Sequence, residues 1–306
     1  MSELPDPVLR AISNALAEVH KSDDHSLAPK SRVAIYHALG PLSRLPSYRT
    51  QVWVALLAAR RVLPIFQRAH LTPQPPHRLA HPLRLDAPVP PDMLDALITS
   101  RKITWEGHLA NTPEQEQKDR AAWRYGTIPY DEPLDVLPMQ LVTIAEDVVR
   151  GRLRLDMPPK SDVIQEHVYN NTASVDERLL WERMDHAHFA LQRLADDGYP
   201  PNARCAARAC QQAVTVTCGY EPLRHYHSVT IRSQDGTLKR GDQLTDRDLT
   251  SSAGDLDAAA YAAIASSWRA VDRPLDAAVL AAFWEWWLTE AWPVAWNAAQ
   301  KPLDQR

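Results

Sequence analysis

Residues Val279 to Trp296 read VLAAFWEWWLTEAWPVAW, and five of the ten tryptophans of the chain lie between Trp284 and Trp296. A helix so apolar is either buried or crosses a membrane. A crossing needs about 20 apolar residues in a row, and Glu285 and Glu290 interrupt this run. Burial is therefore expected, with the segment as the central core element. Pro274 suits a first helical turn, and Asp276 places an acid near the positive end of the helix dipole. On a 3.6-residue period, Val279, Ala282, Phe283, Trp286 and Trp287 form one apolar stripe. Leu280, Trp284, Leu288, Ala291 and Ala295 form a second beside it. The side that remains carries Glu285, Thr289, Trp292 and Trp296. Pro293 withholds a hydrogen bond from the Thr289 carbonyl, which predicts a kink.

The rest of the chain reads as further helices. Asp6 to His20 repeats Leu9, Ile12, Leu16 and Val19 at helical spacing. Ser31 is placed to cap a second helix ending at Gly40-Pro41, and Ser47 a third from Tyr48 to His70. The third has Val52, Leu56, Ala59, Leu63 and Phe66 on one face and Pro64 as an interruption. The proline-dense connection 71–91 is expected to wrap along the surface. Helices are predicted at Asp92–Lys102, Trp105–Ala110, Pro113–Tyr125, Pro133–Leu153, 161–170, Val175–Asp197, 203–218 and Asp255–Ala270. In the 133–153 segment the regular part starts near Pro138. LRLDAPVPPDML from Leu83 and LRLDMPPKSDVI from Leu153 echo one another, as a duplicated helix–loop–helix unit or by chance. HSVTIRS and TLKRGDQL flank Asp235-Gly236, a two-residue hairpin signal. The fold class expected is all-α: one multi-helix domain over residues 1–306, with 1–155 and 156–306 as sub-lobes if it divides, and one small β-hairpin appendage around 226–244.

Composition narrows the function. Nine glycines and 25 prolines suit helices closed by proline-rich connections and argue against glycine-rich phosphate loops. The formal charge of −4 gives no footprint for nucleic acid. The N-terminal stretch is an amphipathic helix with acids, unlike a secretory signal. Cys205, Cys210 and Cys218 fit neither a disulfide framework nor a zinc or redox spacing. A cytoplasmic protein is expected, with no membrane association and no cofactor; its oligomeric state is left open.

Several residue groups could carry chemistry. Glu182, Asp185 and His186 share one helix face and His188 lies one step round it, a ligand set suited to zinc or manganese. The core stripe of that helix lies elsewhere, however, so these residues read as solvated surface. His225 and His227 could point one way across a strand. Cys210 reads as a small core residue. No nucleophile elbow, phosphate loop or helical zinc motif occurs, which makes an enzyme the less favoured class. An acidic strip through Asp235, Asp242, Asp246, Asp248, Asp255 and Asp257 is either a solvated loop or a docking surface for a basic protein. Most tryptophans read as core, while Trp292 and Trp296, on the more polar side, are candidate exposed binding anchors together with Glu285 and Glu290.

Two pieces of the chain, ARRVLPIFQRAH (Ala59 to His70) and AAFWEWWLTEAWPVAW (Ala281 to Trp296), resemble the fifth of the numbered immunity-protein families of bacterial polymorphic toxin systems. The shared features are an Arg-Val-Leu-Pro segment early and a tryptophan-rich helix ending in Ala-x-Pro. The resemblance covers about a tenth of the chain, and the order of the pieces agrees. It implies an all-helical cytoplasmic protein that binds a cognate toxin and neutralises it by steric occlusion. No catalytic residues come with it. Two alternatives stand beside it: a metal-dependent or scattered-site enzyme using the Glu182–His188 neighbourhood, and a helical scaffold holding a small ligand.

Overall fold

A computed structural model describes residues 3–71, 137–152, 199–223, 230–232, 238–240, 256–269 and 275–303. All of them fall in one compact unit, Met1–Gln74 with Leu134–Arg306. The helices expected between 92 and 125, at 161–170 and over Val175–Asp197, the 71–91 connection, the Leu83/Leu153 echo and the Asp235-Gly236 turn lie outside the described residues. The described chain is mostly helical. No described helix is long and apolar enough to cross a membrane.

The first helix, α1 (Asp6–Lys21), starts with Pro7 in its first turn, where a missing N–H costs nothing. It buries Val8, Ile12, Ala15 and Val19. Leu9, expected inside, is 44 % exposed. A one-residue rotation keeps the same 3.6 period and brings Val8 inward instead. Helix α2 (Pro29–Leu39) begins two residues before Ser31. Ser31 is not its cap; its hydroxyl meets the Glu18 carboxylate, and the other Glu18 oxygen accepts from the Ala28 N–H at 2.8 Å. A side chain of α1 thus serves the N-terminus of α2.

Helix α3 (Leu45–Leu71) is the axis of the fold. Val52, Leu56, Ala59, Val62 and Phe66 are fully buried, and it packs against α4 (Leu137–Val149), α5 (Pro201–Thr217), α6 (Ala258–Ser267) and the tryptophan segment. The tryptophan segment is therefore one wall of the core, with α3 at its centre. The reason is length: α3 is 27 residues long, enough to serve several partners in turn. Ser47 lies inside α3 and donates back to the Leu39 carbonyl at 3.0 Å, closing the α2–α3 corner. Helix α5 is small-residue rich and buried nearly all round, with Ala203, Ala206, Ala207, Cys210, Ala213 and Val214 fully covered. Such side chains let neighbouring helices come close.

Two buried side chains close helix ends. Arg49 donates to the carbonyl of Val149 at 3.2 Å and to those of Ala299 and Lys301 at 2.7 Å each. It neutralises unpaired carbonyls at the negative ends of two helices. The Tyr48 hydroxyl donates to the Thr217 carbonyl at 2.6 Å, at the end of α5. After α4, Gly151 turns the chain with φ +80°, and a Cβ there would lie 3.0 Å from Leu303.

The hairpin is present as β1 (Thr230–Arg232) paired antiparallel with β2 (Leu238–Arg240). Its register pairs Arg232 with Leu238 and Thr230 with Arg240.

Candidate functional site

The tryptophan segment is built in three pieces: α7 (Ala277–Trp286), a π-helical turn (Trp287–Ala291) and α8 (Trp292–Ala299). Asp276 caps α7, accepting from the N–H groups of Ala278 at 3.1 Å and Val279 at 3.2 Å. Arg269 holds the same carboxyl and, with these backbone bonds, keeps it below the usual carboxylate range. The proline is accommodated by the π turn just before it, with Pro293 in the first turn of α8. A π turn holds more residues per turn than an α-helix, so it advances the phase of everything after it.

That phase shift decides where the tryptophans point. Leu280, Trp284, Leu288, Ala291 and Ala295 are buried, as the second stripe predicts. Of the first stripe, Phe283 and Trp287 are buried, whereas Val279 and Ala282 are exposed. Trp292, expected among the exposed anchors, is fully buried at 0 %. Its uniform-helix position lies in line with Glu285 and Thr289, and the π turn carries it inward. Trp296 is half-buried, while Glu285 and Glu290 are exposed.

Inside, the rings form a chain. Trp284 meets Trp287 edge to face at 5.6 Å, Trp287 meets Trp292 the same way at 5.6 Å, and Tyr36 of α2 packs on Trp287 at 6.3 Å and on Trp292 at 5.6 Å. Edge-to-face pairs of this kind add to the area term. Within this apolar mass sits a buried ion pair. Arg32 Nε lies 3.1 Å from Asp257 Oδ1, and both side chains are almost wholly covered. Arg32 also donates to the Leu27 carbonyl at 2.6 Å, and its guanidinium stands 5.4 Å from the centre of the Trp284 ring. Asp257 is the N-cap of α6, accepting from Ala260 N–H at 3.2 Å, and it accepts from the Tyr36 hydroxyl at 3.1 Å. Burial, and then the Asp257 charge, push the Tyr36 hydroxyl well above its ordinary pKa. Asp257 was legible only as part of an acidic strip, and Arg32 carried no signal, since one arginine in a helix looks like surface.

On the outer side, Glu285 bonds to His20 Nε2 at 2.9 Å, tying α7 to α1. Trp286 is half-buried under Arg61, whose guanidinium carbon lies 4.1 Å from the ring centre, a cation–π contact. Val279 at 40 % and Val294 at 53 % are exposed on the same segment.

The remaining candidates divide. Asp242, Asp246 and Asp248 lie outside the described residues, as do Glu182, Asp185, His186, His188, His225 and His227. Among the described residues no group of three or more His, Cys, Asp or Glu could hold a metal ion. Cys205, Cys210 and Cys218, on or next to α5, are not joined in disulfides. Burial pushes Cys205 up to about 11 and Cys210 up to about 12, and Cys218 higher still. A thiol so raised is a poor nucleophile at neutral pH, because the thiolate is the reactive form.

The chain matches no protein-family profile, no curated protein and no solved structure.

Proposed function

We propose that this chain is a cytoplasmic immunity protein that binds a cognate bacterial toxin and neutralises it by occlusion. One observation carries the reading. The two segments that bear the family resemblance, remote in the chain, meet in the fold. Arg61 of the first stacks on Trp286 of the second, and α3 packs along the π turn and α8. The outward side of this joint combines half-buried aromatic surface, the exposed carboxylates of Glu285 and Glu290, and exposed Val294. Tryptophan is among the residue types that dominate protein-interface hot spots, and the carboxylates favour a partner with a basic contact surface.

The test is co-expression. A toxin domain encoded beside this gene should arrest growth alone and be tolerated when this chain is present. The double substitution Glu290→Lys with Val294→Asp should weaken binding about tenfold or more and leave the melting temperature unchanged, since both side chains are exposed. Continued growth arrest with the chain well expressed and folded would sink the proposal.

A further inference from the structure

Glu146 on α4 is shared by two guanidinium groups. Arg60 of α3 donates to one carboxylate oxygen, and Arg150, just past the end of α4, donates from Nε to the other at 2.8 Å. Two cations on one carboxylate leave a net positive charge. The neighbouring carboxylate does not cancel it, because Asp147 is engaged by Arg152 at 3.3 Å. The two cations feel each other: burial first, and then the Arg150 charge, hold Arg60 below its ordinary pKa. Side-chain exposure is 39 % for Arg60, 36 % for Arg150 and 19 % for Glu146. The cluster is therefore open to a ligand, yet less screened than a fully exposed pair.

Both arginines are also held in place. The Arg150 guanidinium carbon stands 5.3 Å from the centre of the Trp53 ring, and Trp53 is buried on α3. Arg49 serves the Val149 carbonyl, so the end of α4 does not draw Arg150 away. A guanidinium carries further N–H donors in a rigid fork, and among the described residues Glu146 is the carboxylate that each one bonds. A second oxyanion beside Glu146 would complete an alternating arrangement of two guanidiniums and two anions, on side chains that are already ordered. We propose that Arg60 and Arg150 form an oxyanion-binding site that takes one further carboxylate or phosphate group beside Glu146. The proposal is independent of what the tryptophan segment binds. A partner's Asp or Glu side chain and free phosphate share this chemistry. The rival is a positive charge that is only solvated, as at an ordinary surface pair.

Proton NMR on the full chain labelled with nitrogen-15 separates these. Sodium phosphate and sodium acetate are each titrated against sodium chloride at matched ionic strength. The Nε–Hε signals of Arg60 and Arg150, assigned from Arg60→Gln and Arg150→Gln spectra, should move saturably, with millimolar affinity, and should not follow chloride. A stronger response to phosphate points to the free ion as the source, and a stronger response to acetate to a carboxylate side chain. Either glutamine substitution should weaken binding about tenfold or more, whereas Glu146→Gln, which removes the competing carboxylate, should tighten it about tenfold. Shifts that match those in chloride would overturn the proposal, and so would binding unchanged in both arginine variants. If a variant does not fold, anomalous diffraction from a crystal of the unsubstituted chain soaked in selenate decides. A peak within hydrogen-bond reach of both guanidinium groups supports the site, and its lack there defeats it.

Discussion

Arg32 on α2 and Asp257 at the start of α6 form an ion pair 3.1 Å apart with essentially no exposed side-chain surface. A pair so covered is costly to assemble and costlier to break, because removing one member strands the other charge in an apolar interior. Asp257→Ala should therefore lower unfolding stability by about 3–5 kcal/mol, and Arg32→Met by a comparable amount. The double variant should lose less than the sum of the two, which urea denaturation of all four proteins would measure. Additive losses would mean that the charges do not interact.

Arg49 makes a different demand. Its guanidinium serves the carbonyls of Val149, Ala299 and Lys301 at once, and hydrogen bonds to a charged donor are worth about 1.5–3 kcal/mol each. Arg49→Met should cost about 3 kcal/mol or more. Arg49→Lys should recover only part of this, because an ammonium cannot reproduce the planar fork. The denaturation midpoint should fall while the slope stays constant. A midpoint unchanged in Arg49→Met would refute the role.

Gly151 combines a positive φ with a tight neighbour. Gly151→Ala should destabilise by about 1–2 kcal/mol from backbone conformation alone, plus a steric part from Leu303. Trimming Leu303→Ala in the same chain should return the steric part and leave the backbone part. A Gly151→Ala protein as stable as the parent would show that neither matters.

Asp276 gives the fold an acid-sensitive joint. Its folded carboxyl titrates below its ordinary value, chiefly through the Arg269 hydrogen bond. A group with a depressed folded pKa contributes stability above its unfolded pKa of about 4 and loses it as pH falls through the folded value. Asp276→Asn keeps a capping oxygen but removes the titration. The variant should therefore show a shallower decline in stability below pH about 4 than the parent. Parallel acid profiles would contradict this.

What could be read from the residues follows the physics of each feature. Helical periodicity located α1, α3 and the tryptophan segment, because buried apolar side chains repeat on the helix itself. Periodicity sets phase only to within a residue, so it could not choose between Val8 and Leu9. Trp292 was misplaced for a sharper reason: a single π turn breaks the uniform period, and Pro293 signalled a disturbance without saying which kind. The roles of Arg32, Arg49 and Asp257 were out of reach, since their partners come from remote parts of the chain and no local pattern marks an arginine as interior. The outward placement of Glu285 and Glu290 was legible, because a charge on an otherwise apolar helix has one cheap direction to face.

The π turn at Trp287–Ala291 also makes the chain unequal in its tolerance of length. It holds about one residue more than an α-helical turn would. Deleting one residue there could restore an unbroken α-helix while rotating all that follows by about 100°. Trp292 would leave the interior, and Arg49 would lose its carbonyl partners at Ala299 and Lys301. Substitutions in this stretch act on one side chain at a time, whereas a single-residue deletion would misalign a whole wall of the core. Descendants of this chain should therefore vary in residue type here far more readily than in residue number.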